Sequence, residues 1–144
     1  MARVDTSSTT VPSYVVVRDS TIHGKGVFAT RRITTNTMLA QYAGETLTQE
    51  ELDARYPLSR HPEYVLQIGA RYVDAADGRG NWTRWVNDAH GTARTNNCSY
   101  DKQGWLVTLR DIKRGEELLV SYGEGFWESA AEAAAEAAAE ATAK

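Results

Sequence analysis

Residues 80–122 constrain what this chain can fold into more than any other stretch: GNWTRWVNDAHGTARTNNCSYDKQGWLVTLRDIKRGEELLVSY. An Asn-Trp-x-Arg turn opens it, and two short strand-like runs, 105–110 and 117–121, close it. Between them lies a polar loop holding Asn87, Asp88, Asn96 and Asn97, entered directly from Trp85 and Val86. Short amide and carboxylate side chains compete for backbone hydrogen bonds. Their mixture with apolar residues predicts an irregular path held by side chains, its apolar side against the core.

The chain before this stretch reads as short strands with long connections. Residues 14–18 are rich in β-branched side chains and predict a strand. His23-Gly24-Lys25-Gly26-Val27-Phe28-Ala29 places two glycines around a lysine, ahead of another short strand. Glycines so spaced let the backbone turn tightly and bring N–H groups close to a ligand, with an ordinary hairpin turn as the competing reading. Neither a Walker pattern nor a dinucleotide fingerprint accompanies them. A strand is expected over 38–44. A short helix is expected over 49–55, with Thr48 as N-cap, Glu50 and Glu51 in the first turn, and Leu52 as its apolar contact. Pro57 and Pro62 bracket a loop, and 64–68 with 71–74 form a hairpin across Gly69-Ala70. Residues 74–80, with Gly78 and Gly80, turn into the central stretch. Many short strands and little helix predict a mainly β domain of irregular architecture.

The ends read differently. Residues 1–13 carry no periodicity and are expected to be a disordered lead-in. From Glu128 the chain is ESAAEAAAEAAAEATAK, an Ala/Glu-rich helix former. Glu128, Glu132, Glu136 and Glu140 form a like-charged stripe costing about 0.2–0.5 kcal/mol per pair. Each alanine gains roughly 0.5 kcal/mol over an average residue, so propensity wins and 128–144 is expected to be a largely solvated helix.

Composition sets the outer bounds. The 144 residues, 42% hydrophobic and 24% charged, fit one soluble domain with a modest core. No apolar run approaches the roughly 20 residues that span a bilayer, and no signal-peptide pattern opens the chain, so no membrane partner is expected. Cys98 stands alone, which excludes an intrachain disulfide framework and a thiolate zinc cluster. His23, His61 and His90 show no metal-ligand spacing, so a metal-free domain of a reducing compartment is expected. The net charge of −3 resides in the tail, since 1–127 is balanced. With no basic stripe, no direct nucleic-acid contact is expected.

The order of these motifs resembles the SET-domain family of protein lysine methyltransferases, nearest its PR-like branch. Gly24–Ala29 is similar to the first cofactor motif and Tyr42-Ala43-Gly44 to the second. Arg84-Trp85-Val86-Asn87 with Asn97-Cys98 resembles the motif that forms the pseudoknot. Gly115-Glu116-Glu117-Leu118 and Tyr122-Gly123 resemble the last. The resemblance covers about 15–127 and implies a SET domain over 14–127. The fold it implies is a β-clip of short curved sheets around a threaded loop, with few short helices. The cysteine-rich flanks of many members are missing, as in the compact viral ones.

The implied activity is methyl transfer from S-adenosyl-L-methionine to a lysine of a histone tail or similar basic peptide. Tyr122, Tyr42 and Tyr100 are then the catalytic candidates lining the lysine channel, Tyr122 at the position of the family's catalytic tyrosine. Gly24, Lys25, Gly26, Arg84, Asn87, Asp88, Tyr122, Phe126 and Trp127 are the cofactor-binding candidates. Lys25 and Gly26 would act through backbone groups, and Asn87 would hold the cofactor's amino-acid end or adjacent backbone. Arg84 would steer the cofactor's carboxylate or cap a loop, and Phe126-Trp127 would cover the adenine or pack the tail. Asp88 departs from a common histidine, Ala89 from the usual serine, and 90–95 is an insertion. These departures and the missing flanks leave a second expectation open, a non-catalytic interaction module. The resemblance also implies an intracellular setting at nuclear chromatin, in the host nucleus for a viral member, and leaves monomer and homodimer open.

Overall fold

Valine-rich β1 (Val15–Asp19) pairs antiparallel with β2 (Lys25–Ala29), in register from Val15 opposite Ala29 to Asp19 opposite Lys25. The computed structural model describes residues 11–59, 62–76 and 81–123. The expectations for 1–10, for Gly78 and Gly80 in the turn over 74–80, for Phe126 and Trp127, and for the helical tail lie outside those residues. The turn between β1 and β2 closes through the Ser20 N–H to the Gly24 carbonyl at 2.8 Å, with Gly24 at φ 44°. Four of the five residues of β2 are buried, because its other edge is covered as well. The Leu118 N–H donates to the Val27 carbonyl at 2.8 Å, and the Ala29 N–H to the Glu116 carbonyl at 2.9 Å.

The next strand is broken in two. β3 (Met38–Gln41) and β4 (Glu45–Leu47) replace the single strand expected over 38–44. The bend follows from Gly44, which lies against the Asp74 backbone so closely that a Cβ would sit 2.2 Å from its carbonyl oxygen. α1 (Gln49–Arg55) forms as expected. Thr48 caps it by accepting from the Glu51 N–H, and the Glu51 side chain accepts from the Thr48 N–H, a reciprocal capping box. β5 (Val65–Ile68) and β6 (Arg71–Asp74) form the expected hairpin, with Gly69 at φ 61°. β6 also pairs with β4, giving the order β4-β6-β5. A 3-10 turn, Trp82–Trp85, follows, capped by the Asn81 side chain on the Thr83 N–H. β7 (Cys98–Tyr100) and β8 (Trp105–Thr108) complete a third sheet in the order β3-β8-β7. Among the described residues the fold is mainly β, in three small sheets around a core that includes Val27, Leu39, Trp82, Val86, Leu106 and Ile112.

Residues 117–121 differ from the expected strand. Their backbone divides its hydrogen bonds among separate partners, so they thread between segments instead of pairing with one. Leu119 bridges Asn87 in parallel, with the Val120 N–H on the Asn87 carbonyl at 2.9 Å. On the other side the Asn97 and Cys98 N–H groups both reach the Leu119 carbonyl at 2.9 Å. Asn97 locks the thread with its side chain. Its Nδ2 donates to the Glu117 carbonyl at 2.9 Å and its Oδ1 accepts from the Leu119 N–H at 2.8 Å. Both ends of this fully buried amide are satisfied by the backbone that passes beside it. This is the threaded loop that the family resemblance implied, on the irregular, side-chain-held path that the polar stretch predicted.

Candidate active site

The thread delivers Tyr122 to a cavity of about 900 Å3 that Tyr42 and Tyr100 also line. Tyr42 directly follows β3, where the sheet ends with the Tyr42 N–H on the Gly104 carbonyl at 2.8 Å. Its hydroxyl donates to the Tyr64 carbonyl at 2.8 Å. Tyr100 closes β7, and its ring meets that of Tyr42 edge-on, with centroids 5.7 Å apart. The Tyr122 hydroxyl donates to the Val86 carbonyl at 2.8 Å. Burial pushes all three phenols above their ordinary range. The neighbouring Tyr122 adds to this at Tyr42, Tyr42 adds to it at Tyr100, and the Asp88 charge adds to it at Tyr122. Each is a neutral hydroxyl at any physiological pH, able to orient a ligand and unable to act as a strong base.

One wall of the cavity is α1 and the residues after it, Tyr56, Pro57, Leu58 and Ser59, with Asp53 and Glu63 exposed at the rim. This wall is anchored by Asp74, which accepts from the Tyr56 hydroxyl at 2.7 Å and the Arg55 guanidinium at 3.2 Å. Arg84 faces the same cavity. Its guanidinium stacks 4.4 Å from the Trp85 ring centroid and 4.8 Å from that of Tyr64, and its buried Nε has no hydrogen-bond partner.

The remaining candidates gather at the β1–β2 turn, behind Asn87. The Asn87 amide nitrogen lies 3.0 Å from the His23 carbonyl, 2.9 Å from the Lys25 carbonyl and 3.0 Å from Glu117 Oε2. It therefore clamps the turn carrying Gly24, Lys25 and Gly26 through that turn's own backbone. The Lys25 ammonium points away, to Asp19 at 2.7 Å on the surface. Glu117, its side chain 1% exposed, also accepts from the Ser20 hydroxyl at 2.9 Å and lies 3.4 Å from Arg94. Gly26 is glycine because of this carboxylate: a Cβ there would stand 2.3 Å from Glu117 Oε2.

Sequence reasoning did not single out Glu117 or Ser20. Glu117 follows an identical residue, and nothing local says which of the two is buried. The Asp88 carboxylate, expected in the cofactor set, accepts from the Tyr122 N–H at 2.8 Å and the His90 N–H at 2.9 Å. Among the described residues no group of three or more His, Cys, Asp or Glu gathers as a metal site, and no helix is long and apolar enough to cross a membrane.

The family model of the SET domain matches residues 24–123. The chain belongs to the SET-domain family. The methyltransferase domain of human PR domain-containing protein 2 superposes on this SET domain with a TM-score of 0.61 at 25% identity, over 77% of this chain and 78% of that one. The Aspergillus oryzae "Histone-lysine N-methyltransferase, H3 lysine-4 specific" is 33% identical over 76% of this chain and 10% of its own length. Drosophila melanogaster "Histone-lysine N-methyltransferase trithorax" is 31% identical over 78% of this chain and 3% of its own. Mouse PR domain zinc finger protein 14 is 31% identical over 70% of this chain. The SET domain described here spans a tenth or less of the first two relatives' length. The threaded segment 117–120 lies within the matched residues, as does Asn87 with its Lys25 and Glu117 partners, while His23 stands just before them.

Proposed function

We propose that this SET domain is an S-adenosyl-L-methionine-dependent protein lysine N-methyltransferase acting on a basic peptide such as a histone tail, at chromatin. The observation that carries the reading is the meeting of Tyr42, Tyr100 and Tyr122 at one cavity whose rim is acidic. A target lysine must lose its proton, which from its ordinary value costs about 4 kcal/mol at neutral pH. Asp53 and Glu63 at the exposed rim attract a basic peptide, while the ring-lined throat disfavours the ammonium by desolvation. The neutral phenols then orient the free amine, and alignment supplies most of the acceleration. Tyr122, with its hydroxyl fixed on the Val86 carbonyl, is the foremost catalytic candidate, supported by Tyr42 and Tyr100.

The donor set fits the cofactor on one observation: Arg84 presents a guanidinium with a buried, unpartnered Nε, suited to the carboxylate of an amino-acid moiety. Gly24, Lys25 and Gly26 would meet the cofactor through their backbone, held in place by Asn87. Phe126 and Trp127 are proposed for its adenine, which Asp88 would meet through its main chain only. When bound, S-adenosyl-L-methionine supplies the methyl group, leaving its sulfonium sulfur as a neutral thioether.

A peptide array with labelled cofactor tests the activity, and Tyr122→Phe tests the site. That change removes one hydroxyl and keeps ring volume, so folding should survive while turnover falls on the order of 100-fold. Undiminished turnover in a folded Tyr122→Phe protein removes Tyr122 from catalysis. A wild-type chain that neither binds the cofactor by calorimetry nor labels any peptide is an interaction module instead.

A further inference from the structure

Asp88 is one of the positions at which this chain departs from the family pattern, and the residue is 5% exposed. Oδ2 accepts the Tyr122 N–H at 2.8 Å. Oδ1 accepts the His90 N–H at 2.9 Å and the Asn96 Nδ2 at 3.2 Å. Asn96 in turn accepts the Ala89 N–H through its Oδ1 at 2.9 Å. Loop 86–88 therefore holds Tyr122 at two points, the N–H through Asp88 and the hydroxyl through the Val86 carbonyl. The inserted residues 90–95 are tied to the same carboxylate through His90 and lie against Ala89, whose carbonyl accepts from the Thr92 hydroxyl at 2.7 Å.

The donors define the chemistry required at position 88. At least three N–H groups converge on two oxygens, a pattern that suits an ionised carboxylate, which accepts at both atoms. An amide accepts at one atom only and would turn its own N–H against that of Tyr122 or of His90. An imidazole accepts at one nitrogen at most.

We propose that Asp88 is a positioning residue for methyl transfer, its carboxylate fixing the Tyr122 backbone and thereby the direction of the Tyr122 hydroxyl at the cavity. The proposal rests on the methyltransferase reading and uses a contact that reading does not need. Asp88 acts through Tyr122, so its effect depends on the hydroxyl that it aims.

A double-mutant cycle on the full chain, paired with amide exchange by NMR, tests it. Asp88→Asn should lower kcat about 10–100-fold, leaving the KM values for cofactor and peptide within about threefold. In a Tyr122→Phe background the same change should cost less than about threefold, because the hydroxyl is already gone. The Tyr122 amide should exchange at least about tenfold faster in Asp88→Asn, with the amides of α1 unchanged. If Asp88→Asn does not fold, Asp88→Glu, which moves the carboxylate outward by one methylene, is read against the same expectations. Equal losses in both backgrounds, an unchanged kcat, or an unchanged Tyr122 exchange rate each overturn the proposal. A wild-type chain without transfer activity overturns the methyltransferase reading and the catalytic role with it. The exchange arm then still decides whether Asp88 holds the Tyr122 backbone.

Discussion

Gly26→Ala isolates the reason for the glycine at the second position of β2. The added methyl would lie 2.3 Å from Glu117 Oε2 and 2.9 Å from the Ser20 Cβ. Relief requires the carboxylate to move by roughly 1 Å, since ordinary side-chain contacts begin near 3.5 Å. That oxygen accepts from Asn87 at 3.0 Å and shares the Ser20 hydroxyl, at 2.9 Å, with Oε1 at 3.0 Å, so such a shift loses the Asn87 bond and strains the Ser20 one. Hydrogen bonds to a charged group contribute about 1.5–3 kcal/mol each. With partial relaxation the net cost should be about 2–4 kcal/mol, or a fall in Tm of roughly 8–16 °C for a chain of this length. Gly24→Ala is the control. Its Cβ would meet nothing within 4 Å, so only its positive φ opposes the change, at about 1–2 kcal/mol. Thermal and urea melts of Gly26→Ala, Glu117→Ala and the double variant measure the coupling. Removing the carboxylate first should make the Gly26→Ala change cheaper by at least about 1 kcal/mol. A wild-type Tm for Gly26→Ala, or strict additivity with Glu117→Ala, refutes the reasoning.

Other consequences can be measured on the same protein. Asn97→Ala strips partners from the Glu117 carbonyl and the Leu119 N–H, both buried, and should cost about 2–5 kcal/mol by urea denaturation; a loss under about 1 kcal/mol would mean that the thread does not depend on this amide. At Asp74 burial raises the carboxyl, but donors from Tyr56, the Ala76 N–H and Arg55 outweigh it and hold the group below its ordinary value. A depressed native value stabilises above the unfolded value near pH 4 and is lost as pH falls through the native one. Asp74→Asn should therefore destabilise at pH 7 and flatten the acid limb below about pH 4; urea midpoints from pH 2 to 7 that fall in parallel with wild type would reject this. Tyr100→Phe, beside Tyr42 in the cavity, should shift the product from monomethyl- toward di- and trimethyl-lysine by mass spectrometry, Val120 being too small to set the limit. Identical product distributions would take Tyr100 out of the channel.

The sequence by itself determined what neighbouring residues can enforce. The capping box of α1, the turn at Gly69 and the β-branched run of β1 depend on residues a few positions apart, and all were legible; that 86–97 would be irregular was legible too, but not the distant partners that hold it. The motif order also brought out the three tyrosines, which the structure gathers at one cavity. Tertiary structure alone decided which of two adjacent glutamates is buried, because the choice depends on Ser20, 97 residues away along the chain. It also decided why Gly26 has no side chain, why β3 stops before Gly44, and that the Asp88 carboxylate holds the Tyr122 N–H. Each of these is a steric or hydrogen-bond match between segments distant along the chain. Such a match exists only once the fold has brought the segments together, so no local pattern could encode it.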